Sequence, residues 1–156
     1  MTKENSIIDS FYHAFSNKEA DKMNALYHEK ATFEDPAFGK LNSAQAQSMW
    51  SMLIERGGSN LQVEFEIIKE SETSGEAIWE ARYPFSKTKR QVHNVIKASF
   101  EFQDGKIIKH VDRFDLWKWS RMALGTSGLL LGWSPIIKNK VRSECLKSLD
   151  KYMSKS

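Results

Sequence analysis

Apolar residues recur every three or four positions near the start of the chain, at Ile7, Ile8, Phe11, Tyr12 and Phe15. That spacing predicts an amphipathic first helix over about Lys3 to Ser16. Asn17 to Asp21 is polar, and Met23, Leu26 and Tyr27 predict a second, shorter helix behind it. Ala31 to Asp35 reads as a strand, stopped by Pro36, which steers Asp35 away from helical geometry. Ser43 is a suitable N-cap for a third helix carrying Ala46, Met49, Trp50, Leu53 and Ile54, ended by Gly57-Gly58.

After Gly58 the period drops from 3.6 to 2. Leu61, Val63, Phe65 and Ile67 alternate with polar residues, as do Trp79, Ala81, Tyr83 and Phe85. Val92, Asn94, Ile96, Ala98, Phe100 and Phe102 share one parity of a longer strand. Asp104-Gly105 turns the chain into a last strand, Ile107 to Trp119, whose inward parity is Ile108, His110, Asp112, Phe114 and Leu116. Three helices followed by long strands with one apolar face predict an α+β fold. A strongly curved antiparallel sheet would wrap the helices like a cone, with an extra C-terminal helix. Such a fold leaves a hollow between helices and sheet.

The 156 residues fit a single domain, with a core over about 4–119 and an extension over about 120–153. The net charge of +3 arises largely from the C-terminal helix and from Lys87-Thr88-Lys89-Arg90. Neither cluster is interleaved with aromatics, so nucleic acid is not an expected partner. The single cysteine, Cys145, excludes an intramolecular disulfide and a cysteine-based zinc site. Met1 to Asn5 lacks the apolar core of a signal peptide, so a cytoplasmic location is expected.

Three ionisable residues fall on apolar parity: Asp35, His110 and Asp112. Charged groups on a buried strand face are costly unless paired, so they mark a pocket or a hidden hydrogen-bond network. His110 and Asp112, two apart on a strand, form either a carboxylate-oriented imidazole for acid–base work or a buried structural bond. Asp35 shares the parity of Phe33. Desolvation there would raise its pKa and suit it to shuttle protons, or its side chain would cap the turn before Pro36. Asn94 would donate to a ligand oxygen or satisfy neighbouring backbone. Phe11, Tyr12, Tyr27, Trp50, Trp79, Tyr83 and Phe114 would line an apolar site for a small ring-containing ligand. His93, Arg113 and Asp115 fall on the outward parity.

The run Leu26-Tyr27-His28-Glu29-Lys30-Ala31-Thr32-Phe33-Glu34-Asp35-Pro36, behind two helices, resembles the opening of the nuclear transport factor 2-like superfamily. That group includes SnoaL-like polyketide cyclases and ketosteroid isomerases, and the hairpin Phe100 to Ile107 extends the likeness. The resemblance places Asp35 where the isomerase has its catalytic base. The isomerase's enolate-binding tyrosine falls on Phe11, beside Tyr12, and its protonated Asp falls on Lys97 or Ala98. Both oxyanion donors are thus missing, which argues against steroid isomerisation. The late acid–base Asp of SnoaL-like cyclases matches Asp115 or Asp112, and inward parity favours Asp112. For the Asp-Arg-Asp set of limonene epoxide hydrolases, Arg82 and Arg113 are the mid-strand candidates, but both point outward.

These readings predict an enzyme that isomerises, cyclises or hydrates a small apolar substrate without metal or organic cofactor, or else a ligand-binding or dimerisation module. A homodimer is expected. Beyond Trp119, the glycine-broken apolar stretch over 122–137 is too short to span a bilayer. It would form a lid or pack in a dimer, in preference to touching a membrane surface.

Overall fold

The computed structural model describes residues 6–126 and 134–155. The expected helix start at Lys3 and the apolar residues Leu129 to Trp133 lie outside that range. Helix α1 (Ile7–Ser16) starts at Ser6, whose hydroxyl accepts the Asp9 N–H at 2.9 Å. The Glu70 carboxylate reaches across from the sheet to accept from Ser6 Oγ and from the Ile7 N–H. Two otherwise orphaned donors of the first turn are satisfied in this way.

Helix α2 is only Ala20–Asn24, and Tyr27 opens strand β1 (Tyr27–Asp35) instead of closing the helix. Tyr27, Ala31 and Phe33 are the buried positions of β1. Strand β2 (Gly39–Asn42), too short to show in the periodicity, folds back on β1 and leads into α3 (Ser43–Gly57). The N-cap of α3 is Asn42, one residue before the expected Ser43. It forms a reciprocal capping box with Gln45, while Ser43 is buried and donates to His28 O at 2.8 Å.

Strands β3 (Gln62–Glu70), β4 (Ser74–Pro84), β5 (Gln91–Gln103) and β6 (Lys106–Arg113) complete a curved, open six-stranded sheet of order β2-β1-β6-β5-β4-β3. The expected antiparallel pairing holds except between β1 and β6, which run parallel, so the sheet is mixed. In β5 the alternation is kept along the strand, with Val92, Asn94, Ile96, Ala98, Phe100 and Phe102 all buried. In β6 a register shift opposite Glu101/Phe102 puts Ile107 in the core in place of Ile108, and then restores His110 and Asp112 to the inner face. Helix α1 lies so close to the sheet that a Cβ on Gly75 would meet Ile8 Cδ1 at 2.5 Å.

The last strand does not run on to Trp119. It stops at Arg113, and Asp115 caps a new helix, α4 (Leu116–Leu124), by accepting the Lys118 N–H at 3.0 Å. Leu116, Ser120 and Ala123 are buried at helical spacing, whereas a strand would have continued the alternation through Phe114 and Leu116. The β4–β5 turn holds the far end of α4. Thr88 Oγ1 donates to Ala123 O and Arg90 Nε to Met122 O, so two terminal carbonyls find partners. Helix α5 (Pro135–Ser154), capped by Ser134, packs along α3. Its Leu149 is fully buried, Cys145, Leu146, Tyr152 and Met153 flank the core, and Tyr152 donates to Glu55 at 2.9 Å. No described helix is long and apolar enough to cross a membrane.

Candidate functional site

The parallel β1–β6 pair sets the geometry. Its register aligns Phe33 with His110 and Glu34 with Val111. One residue further along both strands come Asp35 and Asp112, on neighbouring strands and on the inner parity. Strand spacing of about 5 Å keeps such carboxylates within strong Coulomb range. Tyr83 lies near the end of β4 and Asn94 near the start of β5, at the same end of the sheet.

Asp112 belongs to a buried chain of hydrogen bonds. Its Oδ1 lies 2.8 Å from His110 Nε2 and 3.4 Å from Trp79 Nε1. The other ring nitrogen, His110 Nδ1, lies 2.8 Å from the Tyr27 hydroxyl, which accepts from Trp50 Nε1, also at 2.8 Å. A carboxylate at Asp112 accepts from both of its neighbours, which puts the ring proton on Nε2. Nδ1 then accepts the Tyr27 O–H, and each donor in the chain has an acceptor. The ring is stacked on Phe100 at 4.2 Å and met edge-on by Phe33 at 5.0 Å and Phe11 at 5.6 Å. His110 is fully enclosed, with both nitrogens engaged. The structure therefore brings His110 and Asp112 together, with His110 behind the carboxylate.

Asp35 stands differently. Its Oδ1 accepts the N–H groups of Ala37 at 2.9 Å and Phe38 at 2.6 Å, forming the turn that leads into Gly39. Burial pushes its carboxyl up to about 7, with the Asp112 charge adding to the rise. The two amides and the Arg142 guanidinium act in the opposite direction. The Asp35 charge is felt in turn at Tyr83 and at Cys145, whose thiol burial drives to about 11. Asp35 thus faces Asp112 from β6, Tyr83 from β4, and Arg142 and Cys145 from α5.

Tyr12 on α1 is fully buried against Phe65, Trp79 and Phe100, and its hydroxyl has no hydrogen-bond partner among the described residues. Burial and the nearby Asp112 charge hold this phenol well above its ordinary pKa, so it remains a donor. Phe11 packs against Tyr27, Trp50 and His110, in the wall behind the bond chain. Asn94 is buried on the inner face. Tyr83, partly exposed, accepts from Trp119 Nε1 at 2.8 Å, tying β4 to α4. Phe114, expected on a strand, lies in the β6–α4 connection and packs on the core. Arg82 pairs outward with Glu64 at 3.0 Å, and Asp115 is spent on the α4 cap, which leaves Asp112 as the late carboxylate on the inner face.

Hydrophobic parity alone makes Tyr27, Trp50 and Trp79 apolar lining, but each contributes a polar handle. Buried Tyr and Trp generally need a partner, and that requirement was the available signal. Among the described residues no three His, Cys, Asp or Glu side chains are placed to hold a metal ion.

The SnoaL-like domain matches residues 8–110. The chain belongs to that family. Its match ends at His110, so Asp112 and α5 lie beyond it. No curated protein matches the chain. Among solved structures, this SnoaL-like protein is similar to Bal32a from a soil-derived mobile gene cassette. They share 17% identity over 77% of this chain and 95% of that one, with a TM-score of 0.63. An LEH-like epoxide hydrolase of M. tuberculosis gives 17% identity, 83% and 96% coverage and a TM-score of 0.54. A proposed polyketide cyclase of Xanthomonas campestris gives 14% identity, 77% and 96% coverage and a TM-score of 0.59. At these identities the likeness concerns the fold, which hosts many chemistries.

Proposed function

We propose that this SnoaL-like protein is an acid–base enzyme for a small apolar substrate, working with its own side chains and with Asp35 as the base. The observation that carries the reading is geometric: Asp35 ends β1 on the inner parity, one step past the Phe33–His110 and Glu34–Val111 pairing and so beside Asp112, where burial pushes its carboxyl up to about 7. A group poised there takes a proton from a carbon acid or a water and returns it within one turnover. Asp112 is held in place by His110 and Trp79, and its charge favours the protonated form of Asp35. His110 orients Asp112 and does not touch substrate. Tyr12 supplies the unpartnered O–H for a substrate carbonyl or epoxide oxygen. The aromatic inner face suits a ring-containing molecule. Isomerisation, aldol-type cyclisation and epoxide hydration all fit this set, and the structural neighbours include an epoxide hydrolase and a proposed cyclase.

The test is turnover on a panel of cyclic ketones and small epoxides, with deuterium exchange into the ketones followed by NMR. Asp35→Asn should lose at least about 100-fold in rate while ligand affinity stays within a few-fold. Equal rates in the two proteins would remove Asp35 as base. A second reading, a non-catalytic ligand-binding module, draws support from the two backbone amides on Asp35 Oδ1, a bonding pattern that also suffices for a turn cap. That reading expects ligand binding without turnover in wild type and variant alike.

A further inference from the structure

We propose that Arg142 on α5 is a positioning residue for Asp35, clamping the 35–39 turn from outside the sheet and laying its charge beside the carboxyl. The proposal rests on the reading of Asp35 as the base.

The clamp is geometric. Arg142 Nη2 donates to Pro36 O at 3.2 Å. The guanidinium also packs against Gly39, where a Cβ would meet Arg142 Nε at 3.3 Å and Cζ at 3.4 Å. Gly39 has φ +71°, so the turn favours glycine for its backbone, and a side chain there would also press on the arginine. Asp35 fixes the same turn from inside through Ala37 and Phe38. One turn is therefore gripped on both sides, by the candidate base and by a helix beyond the family match.

The position of Arg142 is set independently of the turn. Leu149 buries α5 against the core and Tyr152 ties it to Glu55, so the arginine is delivered by a docked helix. Among the groups that act on Asp35, the Asp112 charge raises its pKa and Arg142 is the cation that lowers it. Tyr83 and Cys145 complete the set as neutral neighbours. Removing the arginine leaves Asp35 facing Asp112 with only two amides to support its ionised form.

The experiment is a ¹³C NMR titration of the Asp35 carboxyl in aspartate-labelled protein, assigned with Asp35→Asn. In Arg142→Gln the midpoint should rise by about half a pH unit. Arg142→Lys, which returns the charge without the guanidinium contacts to the turn, should bring the midpoint only part of the way back to the wild-type value. Both substitutions sit at an exposed position, and thermal melts check that each variant is folded. A midpoint in Arg142→Gln within about a tenth of a unit of wild type overturns the proposal. This readout needs no substrate, so it separates the failure of Arg142 as positioner from the failure of Asp35 as base, which Asp35→Asn turnover reports alone.

Discussion

His110 Nε2 lies 2.8 Å from Asp112 Oδ1, two residues on along the same strand, with both side chains sealed from solvent. Each residue answers the cost of burying the other. A carboxylate without its imidazole would be an uncompensated charge in an aromatic core.

His110→Phe should therefore destabilise the fold by about 3 kcal/mol even though an aromatic ring is kept at the site. His110→Phe combined with Asp112→Asn should lose clearly less than the sum of the single changes, because the stranded charge is gone. Urea unfolding of the four proteins measures the coupling, and strict additivity would show that the pair is not a unit.

Asp35 imposes a pH dependence of unusual sign. Its folded pKa of about 7 lies above the ordinary 3.8, so between those values the folded chain holds a proton that the unfolded chain has released. Stability from this group is fully present below about pH 4, is lost as pH rises, and levels off above about 7. Asp35→Asn keeps the Oδ1 acceptor for Ala37 and Phe38 but cannot ionise. It should gain stability over wild type between pH 5 and pH 8 by up to about 4 kcal/mol, less where water reaches the carboxyl. Chemical denaturation at the two pH values checks the slope.

Tyr27→Phe removes the link between Trp50 and His110 and leaves an indole N–H and a ring nitrogen unsatisfied. A loss of about 2–3 kcal/mol is expected in urea unfolding, although the change removes a single oxygen. A loss below about 0.5 kcal/mol would show that the bond chain carries little of the fold's stability.

Leu149→Ala tests how α5 is docked. The side chain is fully buried, so its truncation should cost about 2–4 kcal/mol. The Asp35 titration midpoint should rise as well, because the helix that carries Arg142 loosens. Melting curves and the carboxyl titration report the two effects separately.

Much of this architecture is legible in the chain. The two-residue period from Leu61 to Phe102 specifies the strands and their inner face, and Phe33 gives the side to which Asp35 belongs. The inward placement of His110 and Asp112 follows from the same alternation, although the bulge at Ile107/Ile108 reaches it by a different route. Residues 114–119 mislead because Phe114 and Leu116 satisfy a strand period and a helix start alike. Only the Asp115 cap decides between them.

What local pattern could not show is the company each residue keeps. Nothing in the run around Asp35 signals that its strand lies parallel to β6, since that pairing joins segments far apart in sequence. The same holds for Arg142. Along α5 it reads as one more solvated base, and its meaning comes from the turn it touches.

Strands β1 and β6 stand side by side, yet one is made early in synthesis and the other after most of the domain. A growing chain holds Asp35 in place of a finished centre until the final strand slots between β1 and β5. Closing so long a loop is slow, and until it happens the sheet has two unpaired edges where it should have a seam. The Asp35–Asp112 pairing is therefore the last feature of the proposed site to form, and a nascent or clipped chain without β6 would lack it and be prone to aggregate.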